Sequence, residues 1–194
     1  MYSQNNEEQF ILQYFEGKQP GSFWDVGAFD GKTFSNTLAL LERGWYGVAV
    51  EASPVNFVNL VNNTAAHADR LTYVFGIVLD KVESALTAWY DSNGDALSSN
   101  DQAHVDKWAN IVNFTKMHGA AFGWRSLIPI NPYPDFINVD VEGQSAALAL
   151  AMYREGLRPA MWCIEHDSRM EEITQAFVEY RVLVCNGENI IMVK

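Results

Sequence analysis

Apolar runs and amphipathic segments alternate through residues 23–79 in the order strand, helix, strand, helix, strand, and this alternation restricts the fold more than any other feature. Parallel strands need a crossover between them, and right-handed crossovers place helices against the sheet, so the pattern predicts a three-layer α/β architecture. Phe23 to Val26 reads as the first strand and Thr33 to Arg43 as a helix with Phe34, Leu38 and Leu41 on one face. Trp45 to Glu51 is apolar for most of its length, as expected of a strand covered on both sides. Ser53 and Pro54 supply an N-cap and a first-turn proline for a helix to about Asn62. A third strand spans Leu71 to Leu79, interrupted by Gly76.

The same periodicities recur near the end. Phe136 to Asp140, Met161 to Glu165, Tyr180 to Cys185 and Asn189 to Val193 read as strands, the last two joined by a hairpin-length turn. Helices fall at Gln144 to about Glu155 and at Met170 to Phe177. The total is seven strands with an antiparallel closing pair. Residues 5–16 form an amphipathic lead-in helix with acids in its first turn. Between Asp80 and Pro134 the pattern weakens to a candidate strand at Ala85 to Tyr90 and a short helix at Asp101 to Asn110. A connection this long usually carries function. The chain thus divides into a helical lead-in over 1–20 and a single domain over 21–194, with 80–134 as a substrate-side insertion or lid.

Composition limits the partners. The 194 residues are 48% hydrophobic, enough for one sizeable core, and 13 Lys and Arg against 24 Asp and Glu give a net charge of -11. That charge repels nucleic-acid phosphates and anionic lipid, so neither is an expected partner. No apolar stretch approaches the roughly 18 residues of a membrane span, and Met1 to Phe10 lacks the basic and apolar regions of a secretion signal. Cys163 and Cys185 lie in apolar segments and read as reduced core thiols. The expected location is cytoplasmic.

Chemistry concentrates in the loop after the first strand, Asp25-Val26-Gly27-Ala28-Phe29-Asp30-Gly31-Lys32-Thr33. A dinucleotide fingerprint would need glycine where Phe29 stands. Gly31-Lys32-Thr33 looks like the end of a phosphate-binding P-loop, with Asp140 as its later acid, but the glycines are one residue too close. The third alternative, D-x-G-x-x-x-G, is the loop that cradles the amino-acid part of S-adenosylmethionine, whose cationic groups favour acids such as Asp25 and Asp30. An acid for the ribose hydroxyls is then expected about 20 residues further on, by analogy with the nucleotide rule. Glu51 stands twenty residues after Gly31.

These blocks, together with SNGDALSSNDQAHVDKW (92–108), DFINVDVEG (135–143), WCIEHD (162–167) and ENIIMVK (188–194), resemble the FkbM-type methyltransferases, a branch of the class I S-adenosylmethionine-dependent enzymes. The resemblance implies a seven-stranded Rossmann-like sheet with its last strand antiparallel. It implies S-adenosylmethionine as cofactor, S-adenosylhomocysteine as product, and methyl transfer, typically to a hydroxyl. Matched by position, Asp25, Gly27, Ala28, Asp30 and Gly31 belong to the cofactor loop, Glu51 to the ribose, Asp80 to the adenine and Asp140 to the methionine portion.

A hydroxyl acceptor profits from a general base with pKa near neutrality. His166 after the fifth principal strand, Asp140 and Glu142 are the candidates, and a small-molecule or glycan hydroxyl is the expected acceptor. Asp140, Glu142, Glu165 and Asp167 at neighbouring strand ends suit Mg²⁺, although their spacing does not demand a metal. Trp89, Tyr90, Trp108, Phe122 and Trp124 offer faces for a flat acceptor. Two other readings stay open: a binding module without efficient catalysis, and a nucleotide hydrolase using the near-P-loop.

Overall fold

The computed structural model describes residues 1–81 and 84–194, so residues 82 and 83 of the long connection lie outside the described residues. In chain order the strands are β1 (Ser22–Val26), β2 (Tyr46–Glu51), β3 (Leu71–Phe75), β4 (Ile77–Leu79) and β5 (Ser84–Asp91). They continue as β6 (Thr115–Gly123), β7 (Phe136–Val139), β8 (Met161–Glu165), β9 (Arg181–Cys185) and β10 (Asn189–Val193). The α-helices are α1 (Glu7–Tyr14), α2 (Leu38–Glu42), α3 (Pro54–Asn63), α4 (Gln102–Trp108), α5 (Ser145–Arg154) and α6 (Met170–Ala176).

Seven strands form one sheet in the order β3-β2-β1-β7-β8-β10-β9, parallel except for β10, which runs antiparallel to both neighbours. This is the α/β sheet with an antiparallel last strand that the sequence led us to expect. Side-chain parity builds the layers. Trp24, Val26, Val48, Val50, Ile137, Val139, Trp162 and Ile164 face one way and pack with Ala146, Ala149 and Leu150 of α5 and Ile173 of α6. Phe23, Ala49, Phe136, Met161 and Cys163 face the other way and pack with Ile11 and Phe15 at α1, Leu38 and Leu41 of α2, and Leu60 of α3. Glu7, one of the acids of that first turn, is buried and accepts from Asn186 Nδ2 at 2.7 Å and Asn189 Nδ2 at 3.0 Å. It ties α1 to the closing hairpin.

The principal departure lies after β3. Gly76, at φ +149°, ends pairing with β2, and the chain then enters a second sheet of order β4-β6-β5. A Cβ there would meet the Ala120 carbonyl oxygen and the Phe122 ring, both at 2.9 Å, so close approach of β6 requires glycine. Strand β6 was not legible because glycine, alanine and lysine within it weaken both propensity and alternation. Helix α2 is shorter than expected: Ser35 Oγ accepts from Leu38 N at 3.0 Å and Thr37 N at 3.3 Å, which favours a turn over another helical turn. Ser53 precedes α3, but its hydroxyl makes no capping bond. Asp101 does cap α4, accepting from Ala103 N at 2.9 Å. Cys163 is buried as expected, whereas Cys185 is exposed on β9.

Candidate functional site

Strand order reverses between β1 and its neighbours β2 and β7, and the connections leaving their carboxyl ends diverge there. A solvent-open cleft of about 1020 Å³ occupies this position. Its lining includes Asp25 to Phe29, Thr33 to Asn36, Val50 to Ala52, Gly76 to Val78, Ser98 to Asn100, and Asp140 to Glu142. The second sheet contributes Trp89. Among the lining residues Phe29, Phe34 and Glu142 adopt φ +52°, +59° and +50°. Such left-handed non-glycine conformations cost about 1 kcal/mol or more each and cluster where function requires them.

The loop folds back on β2. Gly27 N and Ala28 N both donate to Val50 O, at 3.0 and 2.9 Å, and Phe29 N donates to Glu51 Oε2 at 2.9 Å. Lys32 N and Thr33 N donate to Asp30 Oδ1, at 2.8 and 2.6 Å. A P-loop instead turns such N–H groups toward phosphate. Here they are spent within the protein and Lys32 is exposed outside the lining, so the loop provides no phosphate cradle. The hydrolase alternative is thereby corrected.

Glu51, 8% exposed, closes β2 with its carboxylate in the cleft wall. Its Oε1 accepts from Ser53 N at 2.7 Å, so with Phe29 N two backbone donors fix its orientation. Burial nevertheless raises its carboxyl to about 7. Asp25 sits on the α2-facing side of β1, where Thr37 Oγ1 donates to Oδ2 at 2.5 Å and Asn138 Nδ2 to Oδ1 at 2.9 Å. Burial lifts Asp25 to about 6. Asn36 Nδ2 donates to Asn138 Oδ1 at 3.0 Å, leaving its own Oδ1 buried and without a partner. This Asp25–Asn138–Asn36 chain was not singled out from the sequence. An asparagine inside the apolar run Phe136 to Val139 was its available signal.

On the other side of the cleft Asp140 and Glu142 approach Glu165 from the end of β8. Burial raises all three carboxyls, and each is raised further by a neighbouring acid: Asp140 and Glu142 chiefly by Glu165, and Glu165 by Asp167. His104 of α4, another residue missed in the sequence, puts Nε2 3.6 Å from Glu142 Oε2. Burial lowers its pKa.

Four expected site residues lie outside the cleft lining. Asp30 serves the loop's internal turn, Gly31 packs under Leu60 and Thr64, and Asp80 pairs with Lys81 at 3.6 Å. His166 Nδ1 accepts from Ser168 N at 3.1 Å, and its Nε2 lies 3.3 Å from Asn186 O. That pairing turns the ring toward the closing hairpin. His166→Ala is therefore expected to keep the rate of any reaction in the cleft within about twofold while lowering stability by about 1 kcal/mol, the worth of one net hydrogen bond. Parallel turnover and urea-denaturation measurements check both.

Among solved structures the fold is similar to that of a methyltransferase from Podospora anserina with bound S-adenosylhomocysteine (TM-score 0.55, 10% identity, covering 98% of this chain and 79% of that one). It is similar also to the precorrin-6y C5,15-methyltransferase of Geobacter metallireducens (TM-score 0.53, 13% identity, 96% and 86% covered). An O-methyltransferase from Bacillus cereus in complex with S-adenosylhomocysteine gives TM-score 0.51 at 15% identity, with 98% and 82% covered. At such identities the likeness concerns the fold. A search of curated protein sequences finds no match. The sequence profile of the methyltransferase FkbM domain matches residues 25–187, spanning the loop, Glu51, the second sheet and the carboxyl cluster. The chain belongs to the FkbM methyltransferase family.

Proposed function

We propose that the cleft binds S-adenosylmethionine and that the protein methylates a hydroxyl of a sugar or another small molecule. The observation that carries this reading is Glu51, a buried carboxylate aimed by two backbone donors beside a glycine turn that presents no phosphate cradle. Ribose hydroxyls are donors and suit a fixed carboxylate that retains free lone pairs. Gly76, Ile77 and Val78 give an apolar wall of the kind an adenine ring packs against. Asn36 Oδ1 and Asp25 offer acceptors to the methionine ammonium, which satisfies the orphaned amide oxygen. The donor set thus fits the cofactor.

S-adenosylmethionine, when bound, supplies a methyl group on a cationic sulfur. The chain's residues have to position the acceptor, exclude water and take up one proton. We assign proton uptake to Asp140 and Glu142, which line the cleft, with Glu165 behind them. Buried close together, the three carboxyls titrate as a group, and the proton passes to whichever member of the set is ionised. Residues 80–134, with Trp89 in the cleft wall, form the acceptor side in this reading.

Conversion of S-adenosylmethionine to S-adenosylhomocysteine in the presence of sugars, nucleotide sugars and small hydroxyl compounds tests the proposal. Acceptor-dependent product is the expected result. Cofactor binding without turnover on any acceptor class would favour the non-catalytic module.

A further inference from the structure

The side chains of Asp140, Glu142 and Glu165 reach one point from three places: the end of β7, the turn after it and the end of β8. One oxygen of each lies within 4.8 Å of the others. The turn is held in this arrangement. Glu142 adopts φ +50°, and its carbonyl oxygen accepts from Ser99 Oγ at 2.6 Å. Ser145 Oγ donates to Glu165 Oε2 at 2.7 Å, fixing a third direction. Asp167, the fourth acid of the region, is already committed: it accepts from Gly143 N at 3.1 Å and Ala146 N at 2.8 Å at the start of α5.

What these carboxyls lack is a cation. Among the described residues no Lys or Arg forms an ion pair with any of the three. The nearest basic group is His104, whose side chain is 10% exposed. Its Nε2 is buried without a hydrogen-bond partner and points at the cluster, 3.6 Å from Glu142 Oε2. An imidazole nitrogen with no hydrogen-bond partner can offer its lone pair to an ion held by the carboxylates. Like-charged carboxylates driven together out of water must share protons or enclose a cation. The buried imidazole nitrogen facing them without a partner is a second, independent feature that points to a cation.

We propose that Asp140, Glu142 and Glu165, flanked by His104, bind one divalent cation at the acceptor side of the cleft. Three hard oxygens and one imidazole suit Mn²⁺ or Mg²⁺. The ion would offset the mutual repulsion of the three carboxylates. Its placement beside the acceptor rests on the methyltransferase reading; its binding does not.

Mn²⁺ titration of the full chain, followed by loss of the free-ion electron paramagnetic resonance signal, tests this with and without saturating S-adenosylhomocysteine. One Mn²⁺ per chain is expected in both conditions, displaced by excess Mg²⁺. Glu165→Gln should weaken it about tenfold or more and His104→Ala severalfold, as loss of a ligand or of its neighbour does. Glu171→Gln, on the exposed face of α6, should leave it unchanged. No saturable binding to the wild-type chain overturns the inference even if a variant fails to fold. So does displacement of Mn²⁺ by S-adenosylhomocysteine, which would assign the cluster to the cofactor's own charge. S-adenosylhomocysteine binding without Mn²⁺ binding would sink the cation site alone, and the reverse would sink the cofactor reading alone.

Discussion

Gly27→Ala is expected to destabilise the protein by about 3 kcal/mol or more and to abolish cofactor binding in whatever fraction still folds. Gly27 sits at φ +89°, and a Cβ on it would come within 1.6 Å of the Asp140 backbone oxygen. No side chain can yield there. The clash is between the turn after β1 and the residue after β7, at the paired strand ends from which the connections diverge to form the cleft. Gly31→Ala is the comparison. That residue also has positive φ, +72°, but its Cβ would meet the end of Leu60, a side chain able to swing aside. Its cost should be about half as large. Urea denaturation of both variants, with calorimetric titration of the cofactor, checks the contrast. A Gly27→Ala protein with wild-type stability would mean that β1 and β7 do not approach as described.

Glu51→Gln should lower S-adenosylmethionine affinity by about 100-fold, corresponding to about 3 kcal/mol for lost charge-assisted bonds. Glutamine keeps the size of the side chain but turns an NH₂ group toward either Phe29 N or Ser53 N, donor against donor. The charge itself has a pH signature. The carboxyl is raised to about 7 by burial, so acidification protonates it and removes an acceptor from the ribose position. Ligand that binds the ionised form is held more weakly as pH falls through 7. For one such group affinity should rise about tenfold between pH 6 and pH 8. The Glu51→Gln profile should be flatter, since the proton it follows is gone. An unchanged pH profile in the variant would move the dependence to Asp25 or to the carboxyl cluster.

The sheet was legible in the sequence because its strands are covered on both sides. Runs such as Trp45 to Glu51 and Met161 to Glu165 need apolar residues at consecutive positions, which few other structures allow. Gly27 and Glu51 were legible for a related reason, since a turn at the end of one strand and an acid at the end of the next occupy positions set by the fold. The second sheet was not. Its β6 strand, Thr115–Gly123, is half exposed and contains two glycines, and its partners β4 and β5 precede it by a long connection. Side-chain direction was legible only in part. His166 follows an apolar strand just as Asp140 does, but Ser168 N and Asn186 O draw its ring to the closing hairpin. His104 carried no signal at all. It becomes visible only when α4 packs against the Glu142–Gly143 turn, where a Cβ on Gly143 would meet His104 Cβ at 3.3 Å.

In the proposed function the cleft between the Gly27 turn and Glu51 takes S-adenosylmethionine rather than a phosphate-bearing nucleotide. Calorimetric titration of the wild-type chain with S-adenosylmethionine, ATP with Mg²⁺, and NAD measures this directly. The expected result is one saturable site for S-adenosylmethionine, occupied competitively by S-adenosylhomocysteine, with no heat from the other two. Saturable binding of ATP or NAD with none of S-adenosylmethionine would contradict it.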